Sequence, residues 1–111
     1  AVLINDAIGN SLTFDGAGNT VAQAGDTNAI NVGKSAESHF KMDKDGNIAL
    51  EGKTSFKVNV GKSILELLAD GTIKINGKKF NLIAEDTMDI ASAKNHISGE
   101  SKLDGGDVFI N

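Results

Sequence analysis

Apolar and polar residues alternate along most of this chain. The pairs Val2/Ile4, Leu12/Phe14, Phe40/Met42, Ile48/Leu50, Leu65/Leu67, Ile73/Ile75, Phe80/Leu82, Met88/Ile90 and Val108/Ile110, with the run Phe56/Val58/Val60, each put side chains on one face of a short strand. Helical spacing at i, i+3, i+4, i+7 is hard to find over any long window. Turn signals separate the pairs: Asp6-Ala-Ile-Gly-Asn10, Asp15-Gly16, Asp43-Lys-Asp-Gly46, Glu51-Gly52, Gly61-Lys62, Asp70-Gly71 and Asn76-Gly77. Gly and Asn accept positive φ cheaply, so these are the expected bends. The pattern predicts an all-β chain of short strands and regular corners.

The alternation also has a beat. Phe40, Ile48, Phe56 and Ile64 are eight apart, as are Met42, Leu50 and Val58. After a one-residue slip it resumes from Leu65 to Ile73 and Leu67 to Ile75. It slips the other way before Phe80 and Leu82, then steps by eight to Met88 and Ile90. A fixed short period marks solenoid-like architectures, whose units bury their apolar faces only by stacking. An octad spans at most ~26 Å, enough for one side of a narrow prism. Three chains wound together close such a prism and leave few strand edges exposed. The expected fold is therefore an intertwined trimeric triple-stranded β-helix, or β-prism, built from octad-like repeats, with a shaft of roughly 50 Å.

The beat divides the chain. Residues 1–38 are expected to form an N-terminal β segment with an irregular connection, since residues 23–37 are small and polar apart from Ile30 and Val32. Residues 39–111 are expected to form the shaft. The stretch Ala91-Ser-Ala-Lys-Asn-His-Ile97 is too small or polar to fill an apolar layer alone.

Composition supports thin layers over a thick core. Of the 111 residues 40% are apolar, but the only aromatics are five Phe. Cys is absent, which excludes disulfides and thiolate metal sites. Net charge is -4 and every basic residue is Lys, which argues against a nucleic-acid partner. No apolar run approaches a membrane span and no secretory leader pattern opens the chain. The first residue, Ala1, suggests a fragment or a processed product.

Candidate chemistry is sparse. Asp43-Lys-Asp-Gly-Asn47 opens like a calcium loop, but position 12 of such a loop is Thr54 rather than Glu. A β-corner is the expected role, and Asp15-Gly-Ala-Gly-Asn19 is read the same way. His39 and His96 are single histidines, expected at the surface or hydrogen-bonded; only repetition around a threefold axis would make one a metal or anion site. Asp86 with Asp89, or Glu66 with Asp70, has the composition of an acid/base pair, yet nothing singles either out. Lys78-Lys79 is expected to be a solvated corner. The chain is thus expected to be non-enzymatic, with no catalytic residue, metal or cofactor. The alternative is a carbohydrate-binding or receptor-binding β-helical fibre, which the absence of Trp and Tyr disfavours.

The run Ile64-Leu-Glu-Leu-Leu-Ala-Asp-Gly-Thr-Ile-Lys-Ile-Asn-Gly77, continuing through Lys78-Lys-Phe-Asn-Leu-Ile83 to Met88-Asp-Ile90, resembles the β-helical part of bacteriophage central spike proteins and of type VI secretion VgrG proteins. Val2-Leu-Ile-Asn-Asp6 and Asn10-Ser-Leu-Thr-Phe-Asp-Gly16 are similar to the start of that region. The resemblance rests on repeat style and is strongest over residues 40–90. It implies a stiff trimeric needle that contraction of a sheath drives through the target cell's outer membrane. It also implies a location at the phage tail baseplate or at the secreted tip of a type VI apparatus. A preceding domain would join the needle to the tail tube or baseplate. The His-x-His iron motif of some spike tips has no counterpart around His39 or His96. The ending Gly105-Gly-Asp-Val-Phe-Ile-Asn111 reads as a last strand, and the resemblance then implies a blunt platform for a PAAR-type tip protein, formed by Val108, Phe109 and Ile110.

Overall fold

A computed structural model describes residues 1–110, and among these every regular element is a β-strand. By contacts the chain separates into two compact units, Ala1–Lys79 and the segment from Phe80 onward. All nine strands belong to the first. They are β1 (Val2–Asn5), β2 (Ser11–Phe14), β3 (Thr20–Gln23), β4 (Thr27–Val32), β5 (Ser38–Asp43), β6 (Ile48–Gly52), β7 (Ser55–Val60), β8 (Ser63–Leu68) and β9 (Ile73–Asn76).

The strands pair into three antiparallel meanders, β1-β2-β3, β4-β5-β6 and β7-β8-β9. Each neighbour in sequence is a neighbour in the sheet, so every ladder closes through a short local turn. Backbone bonds just past the strand ends lengthen two of the ladders: Lys53 N donates to Glu37 O beyond the Ser38–Gly52 pair of β5–β6, and Ala69 N donates to Thr54 O beyond the Ser55–Leu68 pair of β7–β8, both at 3.0 Å.

Three of the turns share one construction, Asp-x-x-Gly-Asn. The Asp backbone N–H donates to the Asn carbonyl in Asp6–Asn10, Asp15–Asn19 and Asp43–Asn47, at 3.1, 3.2 and 3.1 Å. The glycine one residue before each Asn has φ of 92°, 94° and 86°, at Gly9, Gly18 and Gly46. An L side chain is strained there, which is why glycine recurs at this place. The corners predicted at these positions are present.

Register explains the beat and its slip. Turns with an odd number of residues between paired positions keep parity, so Met42 pairs with Ile48 and Phe40 with Leu50. The β7–β8 turn has only Gly61 and Lys62 between the paired Val60 and Ser63. This even-numbered turn swaps parity: Phe56 pairs with Leu67 and Val58 with Leu65. Ile64 therefore lies opposite Asn59 on the other face, while Leu65 takes up the apolar beat.

Two expectations need correction. Residues 27–32 form the six-residue strand β4, although residues 23–37 read as an irregular connection. Its Asn28, Ile30 and Val32 alternate onto the face shared with Met42 and Phe40, and a leading Asn hid that alternation. Conversely, Phe80/Leu82, Met88/Ile90 and Val108/Ile110 have strand patterning but no ladder, and every described residue from 80 onward is exposed. Patterning fixes which side chains share a face; a strand also needs a partner for its N–H and C=O groups. Within the chain, the repeat is a run of reversing hairpins.

Candidate functional site

Among the described residues none is buried, so the molecule has no internal core. Its candidate functional feature is a surface. In each meander the register collects apolar side chains on one face. In the first, Val2, Ile4, Leu12, Phe14 and Ala22 lie together with Thr20. In the second, Ile30, Val32, Phe40, Met42, Ile48 and Leu50 share a face with Asn28, Ser38 and Gly52. In the third, Phe56, Val58, Val60, Leu65, Leu67, Ile73 and Ile75 are joined only by Ser63. None of the three faces carries a charged residue.

These faces are open. Ile30 is 66% exposed, Ile48 70% and Ile75 56%. Antiparallel sheets commonly solvate one face, but the solvated face is normally the polar one. Ile30, Val32, Phe40, Leu50 and Phe56 line a groove of about 340 Å³ where the second and third meanders adjoin.

The opposite faces of the second and third meanders hold the charges. Lys57, Glu66 and Lys74 stand in register across the third, with Lys74 Nζ 3.9 Å from Glu66 Oε1. On the second, His39 lies between Asn31 and Glu51. Its Nδ1 donates to the Ala36 carbonyl at 3.1 Å, and its Nε2 is 2.9 Å from Glu51 Oε2. Ala36 has φ of 52°, unusual for a residue with a Cβ, so the imidazole anchors a strained corner. Glu51 is 69% exposed, so this pair contributes only about 0.2–1 kcal/mol.

The corner aspartates are occupied by their own loops. Asp43 Oδ1 accepts from the backbone N–H of Asp45 and Asn47, at 3.0 and 3.1 Å, and Asn47 Nδ2 donates to Asp43 Oδ2 at 3.1 Å. Asp6 repeats this with Ile8 and Asn10, and Asp15 with Ala17 and Asn19. Asp70 Oδ1 accepts from Thr72 N at 2.9 Å. These donors favour the ionised form and hold each carboxyl below the usual carboxylate range. The largest contribution comes from the Ile8 backbone N–H at Asp6, the Asn19 side chain at Asp15, the Asn47 backbone N–H at Asp43 and the Thr72 backbone N–H at Asp70. The calcium-like stretch at Asp43 is therefore a β-corner.

The other sequence candidates disperse. Glu66 sits among lysines on a sheet face, whereas the Asp70 carboxylate is bonded within its turn. Asp86, Asp89 and His96 are exposed in the segment that has no ladder. No group of three or more His, Asp or Glu positioned for a metal occurs among the described residues. Val108, Phe109 and Ile110 are 54%, 88% and 87% exposed. What the sequence did not single out is the separation of charged from uncharged faces. It is latent in the alternation, but the pairing register is needed to collect it into a surface.

No family model, curated protein or solved structure matches the chain.

Proposed function

We propose that this chain is the shaft of a non-enzymatic, membrane-piercing spike from a contractile injection machine, a phage baseplate central spike or a type VI VgrG-like needle, working as a homotrimer. The observation that carries this reading is an all-β chain with apolar faces but no buried residue. Its accessible surface is 10,423 Å², against roughly 5,800 Å² expected of a compact monomer of this mass. The difference, roughly 4,600 Å² on one chain, is well above the ~800 Å² that each partner gives to an ordinary interface. Three copies, each contributing a side to an intertwined β-prism, bury that surface and give the segment after Lys79 its strand partners. The resemblance of residues 40–90 to spike β-helices supplies the mechanical role.

In this reading the exposed apolar run Val108, Phe109 and Ile110 docks a PAAR-type tip protein. A preceding domain joins the shaft to the tail tube or baseplate, and the target is an outer membrane. The working location is the virion tail baseplate or the secreted tip of a type VI apparatus.

The test is solution mass by light scattering, followed by electrophoresis in SDS without heating. The expected mass is three times 11.5 kDa, with a trimer band that disappears on boiling. A monomeric mass removes the assembly; a trimer that SDS separates without heat removes the interwinding.

A further inference from the structure

We infer that the uncharged faces of the three meanders are the self-association surface of this chain: a second and a third copy cover them, while the Lys57–Glu66–Lys74 and His39–Glu51 faces point to solvent. The inference rests on the assembly proposed above and adds which residues meet.

Three observations select another copy as the occupant. First, this chain leaves the faces uncovered: Ile4 is 62% exposed, Leu50 53% and Ile73 65%. Second, the surface in excess of a compact fold, roughly 4,600 Å² for the whole chain and shared between these faces and the exposed segment from Phe80, is well above the ~800 Å² that each partner gives to an ordinary interface between separate proteins. Third, the faces are chemically alike. All three lack charge and carry Ile, Leu, Val and Phe, so copies related by rotation meet without an unpaired ion. The faces that do carry charge belong to the same second and third meanders and alternate residue by residue with the uncharged ones. In the second and third meanders an assembly therefore has a clear inside and outside at single-residue resolution, whereas both faces of the first are uncharged.

Leu50 and Ala49 are adjacent in β6 and project to opposite faces, opposite Phe40 and Lys41 respectively. Ile75 and Lys74 form the same contrast in β9. The chain has no Cys, so single Leu50→Cys, Ala49→Cys, Ile75→Cys and Lys74→Cys variants report one position each. Each full-length variant is weighed by light scattering, then exposed to a water-soluble maleimide. Leu50→Cys and Ile75→Cys are expected to react on the order of 100-fold more slowly than Ala49→Cys and Lys74→Cys, because only opening of the assembly exposes them. Loss of the assembly in the Leu50 or Ile75 variant alone supports the same interface.

Equal modification of Leu50→Cys and Ala49→Cys in a protein of trimeric mass overturns this inference and leaves the assembly standing. Protection of Leu50→Cys only after addition of phospholipid vesicles also overturns it, since the cover is then a bilayer. A monomeric wild-type mass removes the assembly itself, and this inference with it.

Discussion

Asp43 shows what one residue contributes to a molecule with no buried core. Its two oxygens gather the Asp45 and Asn47 backbone N–H groups and the Asn47 side chain, and so close the β5–β6 reversal. Asn keeps one acceptor oxygen, whereas Ala keeps none. Asp43→Ala is therefore expected to lower the thermal midpoint more than Asp43→Asn, which calorimetry measures. The shared construction at Asp6 and Asp15 extends the prediction to pH. Carboxyls held below their usual range stabilise the fold above the unfolded-state value near 3.8. That stability is lost as pH falls through the lowered folded-state values. The acid limb of the wild-type stability curve should be shallower in an Asp43→Asn variant. The corners were legible in the sequence because Asp, Gly and Asn stand at fixed offsets. The role of Asn10, Asn19 and Asn47 as closing partners was not, since it depends on the hydrogen bonds of the folded loop.

Each meander depends on turn length as much as on alternation. The two-residue turn Gly61-Lys62 puts Leu65 and Leu67 on the face of Phe56 and Val58 and sends Glu66 to the face of Lys57. Inserting one Gly between Gly61 and Lys62 is expected to move Leu65 and Leu67 to the charged face and Glu66 to the apolar one. Light scattering should then show loss of the assembly, and heterogeneous aggregation in its place. An insertion that leaves the mass unchanged argues against this register. The slip at Ile64–Leu65 was visible in the sequence, but its cause, an even-numbered turn among odd-numbered ones, emerges only from the pairing. The strand β4 was obscured for a different reason. Asn28 and Asn31 belong to opposite faces, so polar residues fall on both sides of its alternation. Antiparallel reversal itself was not readable either: an eight-residue beat fits stacked layers and reversing hairpins equally well, because both put every second residue on one side.

At the scale of the whole molecule, the first 79 residues and the rest differ in kind. Hairpins pair strands close in sequence, so the meanders need little loop-closure entropy. From Phe80 onward the chain has alternation without ladders, and in the proposed trimer its strand partners come from the other chains. A meander whose apolar face packs on nothing forgoes the burial that stabilises a sheet, so in the proposed assembly folding and association should be coupled. The urea midpoint is expected to rise with protein concentration. Amide protection in residues 80–110 should appear only at concentrations where the assembly forms. A midpoint independent of concentration, with protected amides in that segment, would show a chain that completes its own fold.

The local wiring of the meanders has a consequence for descent. Each three-stranded unit begins and ends within its own stretch of chain, and no strand leaves to pair with a distant one. Gain or loss of a whole unit, such as residues 27–52, leaves the ladders of its neighbours untouched. A change by a single residue inside a turn shifts the register of the strands that follow it within that unit. Relatives of this protein should therefore differ in length by quanta of one meander, with the spacing inside each unit kept almost constant.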